Sequence, residues 1–214
     1  MIFSRISVVF PNFSPQKWRF MQEKTQGVVL RTLKYNDNSL IVDIYTAIRG
    51  TVSFMVKLPK SRKAALKGVF FRPLSILEID FDYRQKAALQ RIRDVRFKYV
   101  YQTLPYDPRK SSMALFLAEF LCRVLKHEEG SDTLFSYILY SLQWLDASGE
   151  GFSNFHLVFL TRLTRFLGFY PNVEEWHKGD CFDMVEACFV SSSPSRHAYL
   201  EPQEAALIPL FMRM

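Results

Sequence analysis

Residues 25–97 contain five short apolar runs separated by turn residues, and this spacing constrains the fold more than any other feature. The alternation typical of a strand is clearest where Leu77, Ile79 and Phe81 share one face and acidic residues occupy the other. The predicted strands are residues 25–33, 40–46, 51–57, 69–83 and 87–97. A long insertion, residues 58–68, separates the third strand from the fourth. This pattern favours a five-stranded OB-fold barrel, with an SH3-like barrel as the nearest alternative.

After Tyr99 the apolar period changes from two residues to 3.6, which predicts amphipathic helices. An acidic N-cap followed by proline, or a serine before an apolar stripe, marks a helix start. The predicted starts are Asp107-Pro108, Ser131-Asp132, Ser153 and Glu201-Pro202. Short connections between the first three helices predict a small bundle. The chain is therefore interpreted as a multi-domain α+β protein, a β-barrel followed by an α-helical bundle.

The same patterns divide the chain into three segments. Residues 1–20 have no clear period, and we interpret them as a disordered extension or as a start assigned too far upstream of Met21. The alternative is a basic and aromatic arm, ending in Trp18-Arg19-Phe20, that touches the ligand. Residues 21–98 form the predicted OB-fold domain, and residues 99–214 form the helical domain with an irregular segment at 169–200. The last helix ends without a polar tail, so we expect a C-terminal truncation.

Positive charge is concentrated in the first half of the chain. Residues 1–110 hold 21 Lys and Arg against 8 Asp and Glu, whereas residues 111–214 hold 7 against 13. No Asp or Glu occurs from Ile44 to Leu77. A cationic field of one sign on a β-barrel indicates a partner with many negative charges, of which a polynucleotide is the commonest.

Aromatic residues are interleaved with these cations, a mixture typical of proteins that bind single-stranded nucleic acid. Lys and Arg release counterions from phosphates, and aromatic rings stack on bases for about 1–3 kcal/mol each. Tyr35 is the best candidate ring because it lies in a polar turn, and Arg91 and Arg93, two residues apart, are expected to point the same way. The candidate DNA-contacting residues are Arg31, Tyr35, Lys57, Lys60, Arg62, Lys63, Lys67, Arg91 and Arg93.

Motifs for catalysis are missing from the sequence. It has no G-x-G-x-x-G, P-loop or G-x-S-x-G, and its four histidines are scattered. Its three cysteines include no C-x-x-C pair, which indicates free thiols in a reducing, cytosolic setting. No apolar run approaches the roughly 20 residues of a membrane helix. We therefore expect a cytoplasmic, nucleoid-associated binding protein without catalytic residues, metal or cofactor.

Five stretches resemble the bacterial recombination-mediator family RecO, and their order extends from about Met21 to Met214. They are Thr25–Asp37, Leu40–Thr46 with Arg49-Gly50, Val56–Ser61, Phe71–Leu74 and Phe166–Asn172. The resemblance implies an N-terminal OB-fold, a C-terminal helical domain, and a protein that binds and anneals DNA. It also implies the partners single- and double-stranded DNA, RecR and single-stranded-DNA-binding protein, and a role in loading RecA.

Two departures from the family and two alternatives remain. Many members carry a four-cysteine zinc module, which Cys181 and Cys188 do not supply here, so we expect no zinc. The family also continues beyond Met214. A basic adaptor that binds acidic protein tails, without annealing DNA, would suit the same surface, and a small enzyme with an unrecognised site is the third possibility.

Overall fold

A computed structural model describes residues 21–58, 68–195 and 198–213. Residues 1–20 and four of the candidate cations, Lys60, Arg62, Lys63 and Lys67, lie outside these ranges, so expectations about them stay predictions. The first half forms one antiparallel sheet with the strand order β3-β2-β1-β4-β5. Its strands are β1 (Met21–Asn36), β2 (Ser39–Thr46), β3 (Gly50–Lys57), β4 (Ile76–Tyr83) and β5 (Arg91–Tyr99).

The sheet curls into a barrel because its two outer strands approach each other at Gln90. The backbone N–H of Met55 donates to Gln90 O, and the N–H of Gln90 donates to Ser53 O, each at 2.9 Å. Alternate residues of the strands fill the interior, including Val42, Phe54 and Phe81. The five-stranded OB-fold followed by helices, and with it the α+β class, is confirmed.

Three strand starts differ from the prediction by four residues or more. The first strand begins at Met21 rather than Thr25. The fourth strand begins at Ile76 rather than Val69, because the chain turns at Leu74, which has a φ of 61°. The fifth begins at Arg91 rather than Ala87. Before it, the side chain of Gln90 donates to the carbonyls of Arg84 and Ala87 at 3.0 and 2.9 Å, which holds that stretch as a loop.

The helices follow the caps read from the sequence, with one exception. They are α1 (Pro108–Val124), α2 (Asp132–Ala147), α3 (Phe155–Leu163), α4 (Pro202–Ala205) and α5 (Leu207–Arg213). Asp107 accepts from the N–H of Arg109 at 2.8 Å, and Ser131 accepts from the N–H of Leu134 at 3.3 Å. Ser153 is not the cap of α3, which is preceded by Asn154 without a side-chain cap.

Residues 169–200, expected to be irregular, contain a small second sheet. Its strands are β6 (Cys181–Asp183), β7 (Cys188–Val190) and β8 (Tyr199–Leu200), in the order β7-β6-β8. Phe182 and Phe189 face each other across two of them with ring centroids 5.0 Å apart. Strands of two or three residues are too short to show a period of two, so the sequence gives no signal for them.

The barrel and the helices share one hydrophobic core. Val28, Leu30, Tyr45, Leu74 and Ile76 are buried in the same cluster as residues of α1, α2 and α3. The outer face of β1 and β2 is therefore covered by helices, while the inner face fills the barrel. Since the helices cover the outer face of β1 and β2, the barrel alone would expose these apolar residues to water.

Polar contacts join the same two parts. The hydroxyl of Tyr45 donates to Glu129 O at 3.2 Å, and that of Thr51 donates to Leu125 O at 2.7 Å. Burial raises the pKa of Tyr45 to about 12, so its phenol remains a donor throughout the neutral range. The turn between β2 and β3 thus rests on the connection between α1 and α2.

A buried polar cluster fixes the segment between β5 and α1. Asp146 is 1% exposed and Lys110 is 2% exposed. The ammonium of Lys110 donates to Asp146 O at 2.9 Å, Ser148 O at 2.6 Å and Thr103 Oγ1 at 2.7 Å. These acceptors include backbone carbonyls at the end of α2, so the cation also interacts favourably with the helix dipole.

The structure gives no evidence of a transmembrane helix. Within the three described ranges, no helix is long and apolar enough to span a bilayer.

Candidate nucleic-acid interface

A groove opens where β3 ends and β5 begins, and three of the candidate cations line it. Its volume is about 510 Å³, and Lys57 contributes to it from β3 while Arg91 and Arg93 contribute from β5. The apolar floor comes from side chains of the barrel wall and the turn before β4, including Met55, Phe70, Phe71, Ile92 and Val95. The structure thus brings three of the nine candidate residues, from two distant segments of the chain, to one groove.

Lys57 and Arg91 are exposed cations within this groove. Neither forms an ion pair with any residue that the structure describes. Their charges are therefore not compensated by a bound carboxylate, and a phosphate could approach without displacing one.

Arg93 is also exposed, but it is partly compensated. Its Nη1 lies 3.2 Å from Asp82 Oδ1 on β4 and 3.5 Å from Gln22 Oε1 on β1. The β4–β5 register shifts beside it, between Asp80 and Phe81. The Arg93 guanidinium is consequently directed towards the outer face of the sheet, although the residue still lines the groove.

That outer face of β4 and β5 is close to neutral. Glu78 pairs with Arg96 and, at 3.5 Å, with Lys98, while Asp80 accepts from Gln22 at 2.9 Å. Hydrogen bonding to Arg96 lowers the pKa of Glu78, so its carboxylate stays ionised. The cationic field of the first half is thus interrupted by acidic residues of β4. Asp94 of β5 also lines the groove, where Lys57 and Arg91 are the cations without an ion pair to a described residue.

Arg31 lies on the outer face of β1, and it is not among the residues that line the groove. Its Nη2 and Nε donate to Asp43 Oδ2 at 2.8 and 3.0 Å, and Ser53 donates to Asp43 Oδ1 at 2.6 Å. Hydrogen bonding to Asp43 raises the pKa of Arg31. The side chain remains 54% exposed, so it keeps a free face towards solvent.

Tyr35 is 62% exposed near the tip of the β1–β2 hairpin, as its polar surroundings predicted. Three rings of the acid-free stretch, Tyr45, Phe54 and Phe71, are buried in the two cores and cannot stack on a base. Arg72, which was not selected from the sequence, is exposed beside the groove residue Phe71 and has no ion pair with a described residue. Arg72 could have been selected from the sequence because it lies within the acid-free stretch from Ile44 to Leu77.

The cysteines do not form a zinc site. Cys181 and Cys188 lie on adjacent strands, but they pair with Val190 and Asp183 rather than with each other. Among the residues that the structure describes, no group of three or more His, Cys, Asp or Glu side chains could hold a metal ion. The residues present therefore do not fit the zinc module that many members of the resembled family carry.

Comparison with known proteins gives two family-model matches that together cover most of the chain. Residues 21–101 match the model described as Recombination protein O N terminal, and residues 105–213 match Recombination protein O C terminal. The first match includes the barrel and its groove.

Curated relatives agree with these matches. The chain is 54% identical over 194 residues to the DNA repair protein RecO of Phocaeicola vulgatus, covering 91% of this chain and 80% of the relative. It is 48% identical over 195 residues to the DNA repair protein RecO of Bacteroides fragilis, covering 91% and 81%. The protein of the same name from Flavobacterium johnsoniae is 39% identical over 170 residues, with 79% and 71% covered.

Proposed function

Because the chain belongs to the Recombination protein O family of DNA repair proteins, we propose that it is a recombination mediator that binds and anneals single-stranded DNA. The observation that carries this proposal is the groove between β3 and β5, where Lys57 and Arg91 are exposed and have no carboxylate partner among the described residues. Arg31, Tyr35 and Arg93 are proposed as supporting contacts. Lys60, Arg62, Lys63 and Lys67 belong to the same proposal from their sequence position alone.

The chemistry of such a groove suits a single strand of DNA. Each neutralised phosphate releases condensed counterions, which supplies affinity without reading sequence. An exposed ring such as Tyr35 adds stacking on any base. The protein would therefore bind strands of different sequence with similar affinity, as a mediator requires.

Annealing needs no covalent step, so we propose a non-enzymatic role. A cationic surface lowers the repulsion between two complementary strands, and phosphate contacts that carry no sequence information let the bases search for register. The proposal includes RecR and single-stranded-DNA-binding protein as partners, double-stranded DNA as a second ligand, and help in loading RecA in the RecF pathway. It also places this activity in the cytoplasm, at the nucleoid.

The test is the salt dependence of oligonucleotide binding by the double variant Lys57→Glu/Arg91→Glu. Loss of two phosphate contacts should lower the slope of log K against log salt by roughly 1.4 and weaken binding on the order of tenfold or more at low salt. The annealing rate of complementary oligonucleotides should fall with it. The control variant is Arg165→Glu/Lys178→Glu, which makes the same charge change outside the groove.

An unchanged slope in the groove variant would contradict the proposal. Competition with an acidic peptide separates the adaptor alternative from DNA binding. If the groove variant lost the peptide but kept its oligonucleotide affinity and annealing rate, the adaptor reading would replace the mediator reading.

A further inference from the structure

The outer face of β3 runs from the groove to the junction between the barrel and the helices. Phe54 and Val56 point into the barrel core, so the alternate residues Thr51, Ser53 and Met55 face outward, and all three are half-buried. Lys57 continues this face into the groove. The outer face of β3 therefore forms a track in which the hydroxyls of Thr51 and Ser53 and the apolar side chain of Met55 lead to Lys57, a cation without an ion pair to a described residue.

A second uncompensated cation stands at the other end of this track. The hydroxyl of Thr51 donates to Leu125 O at 2.7 Å, which fixes the end of α1 against β3. The next residue, Lys126, is exposed and forms no ion pair with a described residue. Lys126 therefore lies beside the start of β3, whereas Lys57 lies at its end.

Arg31 lies beside the middle of the track. Asp43 joins it to Ser53, with Ser53 Oγ 2.6 Å from Asp43 Oδ1 and Arg31 Nη2 2.8 Å from Asp43 Oδ2. The carboxylate compensates part of the arginine charge, but the guanidinium keeps donors that Asp43 does not use. The hydroxyls of Thr51 and Ser53 flank these cations.

The length of the track suits a short stretch of DNA. At about 3.3 Å per residue, the six steps from Thr51 to Lys57 span about 20 Å. A nucleotide of B-form DNA rises about 3.4 Å, so this distance holds about six nucleotides of a stacked strand. OB-folds bind about 4–16 nucleotides, so the track has a suitable length.

Acidic residues mark where the track ends. Glu128 and Glu129 follow Lys126 after one intervening residue, His127, and are exposed. Arg123, one turn earlier on α1, is compensated by Glu119 at 2.8 Å. Beside the start of β3 the carboxylates of Glu128 and Glu129 repel phosphates, so we expect the track to end at Lys126.

We propose that the DNA strand held in the groove continues along the outer face of β3 and ends on Lys126, so that the helical half supplies one phosphate contact. This rests on the proposed DNA-binding function and adds a path and a length to it. Lys57 and Arg91 hold one end of the strand, Arg31 contacts its middle, and Lys126 holds the other end.

The experiment compares Lys126→Glu and Lys126→Gln with the control Lys178→Glu, using oligothymidylates of 4 and 20 nucleotides. For the 20-nucleotide strand, both Lys126 variants should lower the salt slope by about 0.7 and weaken binding roughly three- to tenfold. For the 4-nucleotide strand, which the groove alone can hold, the affinity should match that of the unmodified protein. Circular dichroism melts check that the variants fold, which is expected because the Lys126 side chain is exposed and has no ion pair with a described residue.

The outcomes separate this path from the proposed function. If Lys126→Glu behaves like Lys178→Glu while Lys57→Glu/Arg91→Glu loses binding, the path is overturned and the groove remains. If Lys126→Glu weakens binding but Lys126→Gln does not, Lys126 is no contact and the path is again overturned. If neither groove nor Lys126 variants change binding, both proposals fail.

Discussion

The carboxylate of Asp146 accepts a hydrogen bond from the backbone N–H of Leu104 at 2.7 Å. The same carboxylate accepts from the N–H groups of Gln102 and Thr103 at 2.9 and 2.8 Å, and from the hydroxyl of Tyr99 at 3.0 Å. Three successive N–H groups of the segment between β5 and α1 are thus satisfied by one side chain of α2. This contact fixes how the chain leaves the barrel.

Replacing Asp146 by Asn should destabilise the protein by about 2–3 kcal/mol, because an amide offers one acceptor oxygen where the carboxylate offers two. The NH₂ group of the asparagine would face a backbone N–H group, and two donors cannot form a hydrogen bond with each other. Urea unfolding measures the effect, with Glu150→Gln as a control on an exposed acidic residue near the same helix end. Equal stability of the two variants would show that the contact contributes nothing.

The Asp146 contact also predicts a dependence on pH. Burial raises the pKa of this carboxyl, but hydrogen bonds from the N–H groups of Gln102, Leu104 and Thr103 outweigh burial, and the pKa lies below its ordinary value. A depressed folded pKa stabilises above the unfolded pKa of about 3.9, and the stabilisation disappears as the pH falls through the lower folded value. The stability difference between the unmodified protein and Asp146→Asn should be full at pH 6 and shrink below about pH 4. A difference that stays constant from pH 6 to pH 3 would contradict this.

Gly130→Ala should separate the connection between α1 and α2 from the β2–β3 turn. A Cβ there would lie 2.3 Å from Ile48 C and 2.5 Å from Arg49 N, and backbone atoms cannot move aside as a flexible side chain does. We expect a loss of about 1–3 kcal/mol or more in the free energy of unfolding. Gly149→Ala is the matched control, because its Cβ would meet nothing within 4 Å. Similar unfolding midpoints for the two variants would refute the close packing of this turn.

Arg31→Lys and Arg31→Gln separate charge from structure at the middle of β3. Arg31→Lys keeps the positive charge, so the salt slope of oligonucleotide binding should not change, whereas Arg31→Gln should lower it by about 0.7. Both variants weaken the hydrogen bonds to the buried Asp43, so both should lose about 1–2 kcal/mol of stability. Equal slopes for Lys and Gln would exclude Arg31 from the DNA contacts.

A protein consisting only of residues 21–101 should not form a well-packed barrel. Val28, Leu30, Tyr45, Leu74 and Ile76, all at most 2% exposed in the whole chain, would face water, at about 1.5–3 kcal/mol for each apolar side chain. We expect binding of a hydrophobic dye and a poorly dispersed amide spectrum. A sharp cooperative unfolding transition of this fragment would contradict the shared core.

The strand count and the first two helix starts could be predicted because their signals are local. Alternation marks Leu77, Ile79 and Phe81, and the side chains of Asp107 and Ser131 cap the helices that directly follow them. The shared core had one local trace, since the continuous apolar run Val28–Leu30 is typical of a strand buried on both faces.

What the sequence could not show depends on register and on distant partners. Arg31 meets Asp43, and Arg93 meets Asp82, only because particular strand pairs are aligned. The left-handed turn at Leu74 is set by tertiary contacts, because a leucine does not favour positive φ. The sequence therefore predicts that the first half of the chain is positively charged. It does not predict which surfaces of that half are neutralised by ion pairs and which are not.

Because one apolar core joins β1 and β2 to the helices, we expect no hinge motion between the barrel and the bundle. Because the two parts share this core, we expect DNA bound in the groove to raise the melting temperature of the helices together with that of the barrel. A protein that binds the bundle would consequently encounter the same surface conformation with or without bound DNA. Its affinity would depend on DNA only through direct contact with the DNA.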